Sequence, residues 1–321
     1  MIHIPCSAAA GQMIGNSNMK KIRTAIIGLG NIAHGYDDIA SVKKRLTYPT
    51  HVSVLKQDKR FVLVAASDAS ARQRDIFKKK VSKEVVLYAD YRAMLNKEKI
   101  DLMVVAVPTD LHLKVCSVAL AAGIKYILCE KPMVSTVAEA KKLLALVKRY
   151  AGHIMVNYQR SYSADTQKFM SVVEKKKRGR LVFATVQYSG GIFNTATHMI
   201  HLVEKMFGPI QKICSIAASV CEQRDPNISF TAFGRGFEIV FKGINNSVGQ
   251  IFEIDMQFTK KNITLHGDFF AQTSMRDVYE SAYQFITRRK KPVADMFSSV
   301  HALAVAEKAL ASAKNGKTII I

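Results

Sequence analysis

The chain contains no run of about 18 predominantly apolar residues, so no helix able to cross a bilayer is indicated. Its first 18 residues, MIHIPCSAAAGQMIGNSN, lack a basic n-region and a compact apolar stretch, and do not read as a signal peptide. Residues 1–19 read as a disordered leader, with Met19 of "MKK" as the natural functional start. Five cysteines (Cys6, Cys116, Cys129, Cys214 and Cys221) include no C-x-x-C pair. That removes the commonest thiol-based zinc and redox motifs. An odd count without a secretion signal points to reduced thiols in the cytoplasm, held as small buried hydrophobes. There is no fixed-period repeat and no low-complexity linker. Acidic residues are few, 25 against 47 Lys and Arg, and the net charge is +22. The basic clusters Lys78–Lys80, Lys175–Arg178 and Arg288–Lys291 fall at expected helix ends or in loops. No aromatics interleave them and no nucleic-acid motif accompanies them, so they read as solvated surface and nucleic acid is not an expected partner.

At 321 residues and 49% hydrophobic content, the chain has room for about two domains with real cores. The most informative stretch is TAIIGLGNIAHGYDD, residues 24–38. Thr24–Ile27 are β-branched or small apolar residues, as in a strand buried on both faces. Gly28 and Gly30 can take positive φ and carry no Cβ, so a phosphate can approach the backbone. From Asn31 a helix is expected, with its first N–H groups facing that phosphate. Ala33 stands where the dinucleotide fingerprint has its third glycine.

Residues 61–67 (FVLVAAS) form a second strand ending at Asp68. An acid there can bond the ribose hydroxyls of NAD, and Asp68 can also cap the helix that follows. The gap from Gly30 exceeds the usual ~20 residues, so an insertion is expected around residues 36–57. Further strands are expected at 85–88, 101–107, in "KYILCEKPM" and at 153–158, alternating with helices from Tyr91, after Pro108 and over 136–150. Such alternation without hairpins means a parallel, doubly wound α/β sheet. After residue 160 the texture changes. Segments 180–188, 210–221, 228–241, 248–258 and 262–267 alternate between turn residues, as in a large, mostly antiparallel sheet. A helix over Val300–Lys314 closes the chain.

Two stretches carry chemistry. "CEKPM" (129–133) places Glu130 and Lys131 at the carboxyl end of a parallel strand, the edge where open α/β sheets bind ligands. A lysine there can move a proton while hydride leaves the same carbon. "GGIFNTATHMIHLV" (190–203) sets Asn194, His198 and His201 at helical spacings of four and three, on one face. A histidine in a pocket suits proton relay. No Glu or Cys completes a zinc site around the pair, so no metal is expected. His201 also suits the role of a satisfied buried histidine.

The motifs GLGNIAxxY, "PTDLH", "CEKPM", "VNYQR" and GG-x-x-N-x-x-x-H, in this order, resemble the Gfo/Idh/MocA family of NAD(P)-dependent oxidoreductases over roughly residues 20–321. "LTYPTHVSVL", "VNYQRSY" and "YSGGIFNTATHMIHL" resemble its branch in polysaccharide and nucleotide-sugar biosynthesis. The resemblance implies a Rossmann domain (20–158) and an open-faced α+β domain (159–321) for substrate binding and for association into homodimers or homotetramers. It implies a nicotinamide dinucleotide held by Gly28, Gly30, Asn31, Ile32, Asp68, Pro108, Thr109, His112, Glu130 and Lys131, and the charge of Asp68 against a 2′-phosphate makes NAD expected rather than NADP. It implies Lys131, His198 and Asn194 as the catalytic group. A sugar-like substrate would be bound by Tyr36, His51, Asn157, Arg160, Asn194 and His198. Where the family often has Asp-x-Gly-x-His-x-x-Asp, this chain has Asn194, Ala196, His198 and His201. A non-catalytic NAD-binding sensor of the same fold is the alternative. Loops 36–57 and 222–230 are expected to carry substrate contacts.

Overall fold

A computed structural model of the protein describes residues 21–175, 177–215, 225–266 and 274–321. The expected leader, Cys6 and Cys221 lie outside them. Strands β1 (Ile22–Ile27), β2 (Phe61–Ser67), β3 (Val86–Tyr88), β4 (Leu102–Val105), β5 (Tyr126–Cys129) and β6 (His153–Val156) form one parallel sheet in the order β3-β2-β1-β4-β5-β6. Strands β4 and β5 are buried at every residue, as the unbroken apolar runs require of strands covered by helices on both faces. The strand order reverses about β1, which opens a crevice at the carboxyl ends of β1 and β4.

The helix expected from Asn31 is broken. Residues 30–35 make one helical turn, in which Ala33 and His34 N–H donate to the Gly30 carbonyl. A 3-10 turn (Gly35–Asp38) and a short helix (Ala40–Lys43) follow. The helix then resumes at His51–Gln57: His51 and Val52 N–H donate back to the Ile32 and Ala33 carbonyls. The insertion is therefore spliced into the first helix rather than placed after it. Thr50 caps the resumed helix by a reciprocal capping box with Ser53.

The second sheet is mixed, in the order β12-β11-β7-β10-β9-β8-β13. Its strands are β7 (Leu181–Tyr188), β8 (Ile210–Ser215), β9 (Phe230–Gly234), β10 (Phe237–Gly243), β11 (Phe252–Phe258), β12 (Asn262–Leu265) and β13 (Ile319–Ile320). Only the β7–β10 pair is parallel. The segment 228–241 is a hairpin turning at Arg235 and Gly236 rather than one strand, because Gly236 takes a φ of +81°. The strand expected from 248 begins at Phe252, after a short turn over Asn246–Val248. Met199, Ile200 and Val203 of the helix Thr197–Phe207, and Val305, Ala306 and Ala309 of the helix Met296–Asn315, pack on one face of this sheet. Lys212, Cys214 and Gln257 are left exposed. Cys214 thus departs from the expectation of buried thiols, whereas Cys116 and Cys129 meet it.

The last helix starts at Met296, four residues before the expected start, because Asp295 caps it by accepting from Ser298 N–H. It joins the two halves: Leu303 lies in the core of the first sheet and Ala302 in that of the second. The helix Ser274–Arg288 likewise returns to the first core through Met275, Val278, Tyr279 and Ala282.

Tyr188, buried at the end of β7, donates its hydroxyl to the Ile228 carbonyl and accepts from Ile228 N–H, at 2.6 and 3.0 Å. Tyr188→Phe strands both backbone groups in the core. Urea denaturation is expected to show a loss of about 1–3 kcal/mol. An unchanged midpoint would mean that the Tyr188 hydroxyl does not hold this segment.

Candidate active site

The crevice at β1 and β4 is a cleft of about 340 Å³ lined by Gly28, Gly30, Asp68, Pro108 and Leu111, among others. Gly28 has a φ of +94°, and a Cβ on it would lie 2.6 Å from the Ala106 carbonyl, so glycine is required there. A Cβ on Gly30 would meet nothing within 4 Å, and the backbone there faces open space. The N–H groups of Gly30, Asn31 and Ile32 have no acceptor among the described residues. Free N–H groups at a helical turn, with an acid opposite, fit the pyrophosphate and ribose of a dinucleotide. Asp68 accepts from Leu29 N–H and Ser70 N–H, both at 2.8 Å, and so closes the glycine turn against β2. The helix cap is Ser70, not Asp68: its side chain accepts from Gln73 N–H.

Of the other residues expected at the cofactor, Pro108 lines the cleft and immediately precedes the helix Thr109–Ala121, with Thr109 at its first position. Asn31 lies exposed at the turn and Ile32 is half-buried against the core. His112 is buried: its Nε2 lies 2.8 Å from the Val107 carbonyl and its Nδ1 3.0 Å from that of Pro132. It ties the loop after β4 to the loop after β5 instead of facing the cleft. Tyr36 lies in the insertion, exposed.

At the end of β5 the two charged residues part. Glu130 turns inward, and its Oε1 accepts from His51 Nε2 at 2.9 Å and from Asn157 Nδ2 at 2.6 Å. Burial acts to raise the Glu130 pKa, but His51, Asn157 and Lys131 outweigh it and hold the carboxyl below its ordinary range. His51 contacts the Tyr279 hydroxyl through Nδ1. His51 and Asn157, expected to line the substrate cleft, are therefore buried behind Glu130. Lys131 turns outward, and its peptide to Pro132 is cis. Lys131 Nζ donates to the Asn194 carbonyl at 2.9 Å and also to the Asn194 side-chain oxygen. Burial pushes the Lys131 pKa down to about 8; Glu130 and Asp225 act against that and Arg160 adds to it.

Asn194 sits in a π turn, Ile192–Ala196, where Ala196 N–H reaches back to the Gly191 carbonyl, so it does not share a simple α-helical stripe with the two histidines. Asn194 is exposed, while His198 and His201 are buried. His198 Nδ1 has no hydrogen-bond partner. Burial, then the charges of Arg160 and Lys131, hold its pKa well below the ordinary value, so the ring is neutral. His201 stacks on Tyr158 at 4.6 Å between ring centroids, and its nitrogens meet the Ser161 and Ser298 hydroxyls at 2.8 and 3.2 Å. It is a packed core histidine.

Residues 22–158 match the family described as an oxidoreductase family with an NAD-binding Rossmann fold, Gfo/Idh/MocA. That part of the chain is similar to this family. An uncharacterized oxidoreductase of Schizosaccharomyces pombe is 30% identical over 164 residues, 51% of this chain and 40% of its own length. An inositol 2-dehydrogenase of Corynebacterium glutamicum is 26% identical over 165 residues, 51% of this chain and 44% of its own. The chain thus spans less than half the length of these relatives. The fold likeness covers far more. The WlbA dehydrogenase from Bordetella pertussis, solved with NADH and UDP-GlcNAcA, superimposes with a TM-score of 0.80 at 18% identity over 94% of this chain and 99% of that one. A myo-inositol dehydrogenase candidate from Sinorhizobium meliloti gives 0.77 at 16% identity, over 94% and 100%. The Rossmann sheet followed by a large mixed sheet is therefore the fold of this chain.

One residue of the site escaped the sequence reading. Asp225 accepts from Phe193 and Asn194 N–H at 2.8 and 2.9 Å and fills the place where a Gly191 Cβ would stand. Asn227 and Asn246 take the N–H groups of Gly191 and Gly190. Asp225 and Asn227 fall in the loop expected to carry substrate contacts, but Asp225 accepts from backbone N–H groups and Asn227 bonds the Gly191 N–H and the Asn246 side chain. Residues 222–224 of that loop lie outside the described residues.

The buried histidines make stability depend on pH. Burial holds the His201 pKa down at about 3, against 6.5 when exposed. Below about pH 6.5 the unfolded chain takes up a proton that the native site refuses. Stability is thus whole above that pH and falls towards pH 3, by up to about 1.4 kcal/mol per pH unit for one histidine. Urea denaturation between pH 6.5 and 5 is expected to show this slope, reduced by one proton in His201→Asn. A slope unaltered by that substitution would contradict the buried neutral state.

Proposed function

We propose that the protein is an NAD-dependent oxidoreductase interconverting a hydroxyl and a ketone on a sugar or nucleotide-sugar. The observation that carries this reading is the meeting of Lys131, from the end of β5, with Asn194 beside an unpartnered His198. Bound NAD supplies the hydride acceptor. The chain supplies position and a proton path. Gly30, Asn31 and Ile32 would hold the pyrophosphate and Asp68 the ribose. Lys131, neutral in appreciable part near pH 8, would take the proton of the reacting hydroxyl. His198, neutral and with Nδ1 free, would bond the same or a neighbouring oxygen. Asn194 cannot exchange a proton and would orient Lys131. In this reading residues 20–158 carry the cofactor and 159–321 most of the substrate contacts. The protein would work in the cytoplasm, in polysaccharide biosynthesis, and self-associate as a homodimer or homotetramer through the second sheet, where Val182 and Phe183 are exposed.

The alternative, a protein that binds NAD without turnover, draws on the Asn194 and His201 departures. His201 is engaged wholly in packing, so its identity does not bear on proton transfer.

Lys131→Ala is expected to lower kcat by roughly 10²–10⁴-fold and to leave NADH affinity nearly unchanged. In the oxidation direction the wild-type rate should rise to a plateau above about pH 8, as Lys131 loses its proton. Asn194→Asp adds a negative charge at Nζ, favours protonated Lys131 and moves that rise to higher pH. Wild-type rates in Lys131→Ala would remove the lysine from the mechanism. NADH binding with no turnover of any sugar or nucleotide-sugar would favour the sensor.

NAD is expected to bind more tightly than NADP. Asp68 would face a 2′-phosphate with like charge. Arg72, exposed on the next helix, and Arg74, which donates to the Asp68 carbonyl at 2.8 Å, are nearby cations that could offset it. Dissociation constants for both cofactors decide this, and NADP binding as tight as NAD would contradict it.

A further inference from the structure

We infer that Asp225 is a positioning residue for proton exchange at Lys131: it pins the π turn so that both Asn194 oxygens face the amine. The inference rests on the proposed function and names what holds its lysine–asparagine pair together. Asp225 stands half-buried in the segment before β9. Its Oδ1 accepts from Phe193 N–H at 2.8 Å and its Oδ2 from Asn194 N–H at 2.9 Å. One side chain thus fixes the two consecutive peptide planes that lead into Asn194. The plane that follows is held from the other side, where Thr195 N–H donates to the Gly191 carbonyl at 3.0 Å. The Asn194 carbonyl shares that plane and accepts from Lys131 Nζ at 2.9 Å. The side-chain amide is oriented as well: Nδ2 donates to the Gly190 carbonyl at 3.2 Å, which turns the amide oxygen towards Nζ.

The turn leaves room for this carboxylate. A Cβ on Gly191 would overlap it, and Gly191, at a φ of +94°, carries none. Both Asp225 oxygens accept from N–H donors, as an ionised carboxylate does, and such bonds are stronger than neutral ones. Burial raises the Asp225 pKa, and the Phe193 and Asn194 N–H groups and the charge of Lys131 work against that. Asp225 then acts on Lys131 in two ways, of opposite sign. By holding Asn194 over the amine it helps to keep water away, which favours the neutral form. By its charge it favours the ammonium form, as Glu130 does, while Arg160 opposes both acids. The bonds of Nζ go to Asn194, so the first effect runs through that residue.

The test is NMR titration of the Lys131 amine in the lysine-labelled chain, for wild type, Asp225→Asn, Asp225→Ala and Tyr188→Phe. Asp225→Asn keeps an acceptor for the turn and loses the charge. Its Lys131 midpoint is expected to fall below the wild-type value of about 8. The fall should be about 0.5–1 pH unit, less than an adjoining counter-charge causes. Asp225→Ala leaves both N–H groups without that acceptor, frees the turn and admits water. Its midpoint should rise towards the ordinary value of about 10.4. Tyr188→Phe loosens the neighbouring Ile228 segment but keeps the carboxylate, so its midpoint should stay at the wild-type value. Should Asp225→Ala not fold, Asp225→Asn decides alone. The inference is overturned if Asp225→Asn leaves the midpoint unmoved, or if Tyr188→Phe shifts it as far as Asp225→Ala does. A wild-type midpoint near about 10.4 would instead remove the proton-exchange reading itself.

Discussion

A carboxylate buried at the end of β5 is the constraint on which the rest of the site depends. Glu130 ends the apolar strand β5 and turns into the interior, where an unanswered charge would be prohibitive. Three parts of the chain answer it. The resumed first helix brings His51, the end of β6 brings Asn157, and the helix Ser274–Arg288 brings Tyr279 behind the histidine. With Glu130 fixed inward, the next residue on the chain, Lys131, is delivered to the opposite side, where its Nζ meets Asn194. The resumed first helix, through His51, is thus part of what positions the lysine.

The second half of the chain meets this lysine through a backbone device. Two glycines at positive φ, Gly190 and Gly191, let the chain turn from β7 into a π turn. Asp225, Asn227 and Asn246 take up the N–H groups that the turn leaves over. Asn194 then presents both its oxygens to Lys131. The lysine is partly desolvated by this closure, and its pKa falls because burial outweighs the favourable charges of Glu130 and Asp225. The structural contact and the chemical tuning have one cause.

What could be read from the sequence was what local pattern determines. Strand β2 falls at 61–67 as expected, since an unbroken apolar run between turn residues has one interpretation. Gly28 was legible because the turn needs a residue without Cβ. The splice at residues 35–50 was not, because periodicity presumes that a helix is contiguous in sequence. Glu130, His51 and Asn157 were recognised as important, but their direction was not. A strand end does not reveal which way its last side chain points. Asp225 was invisible for a different reason: its partners are backbone N–H groups more than 30 residues away, which carry no residue-specific signal. Arg160 was expected in the cleft, yet nothing in "VNYQR" discloses that its guanidinium lies 4.1 Å from the centroid of the Phe252 ring.

The claim at the centre of this account is that Lys131 is a partly desolvated amine poised to exchange a proton. Its titration can be followed directly by NMR of lysine-labelled protein, with the Lys131 resonance assigned through Lys131→Arg. The account predicts a midpoint near pH 8. A midpoint near the ordinary lysine value of about 10.4 would contradict it.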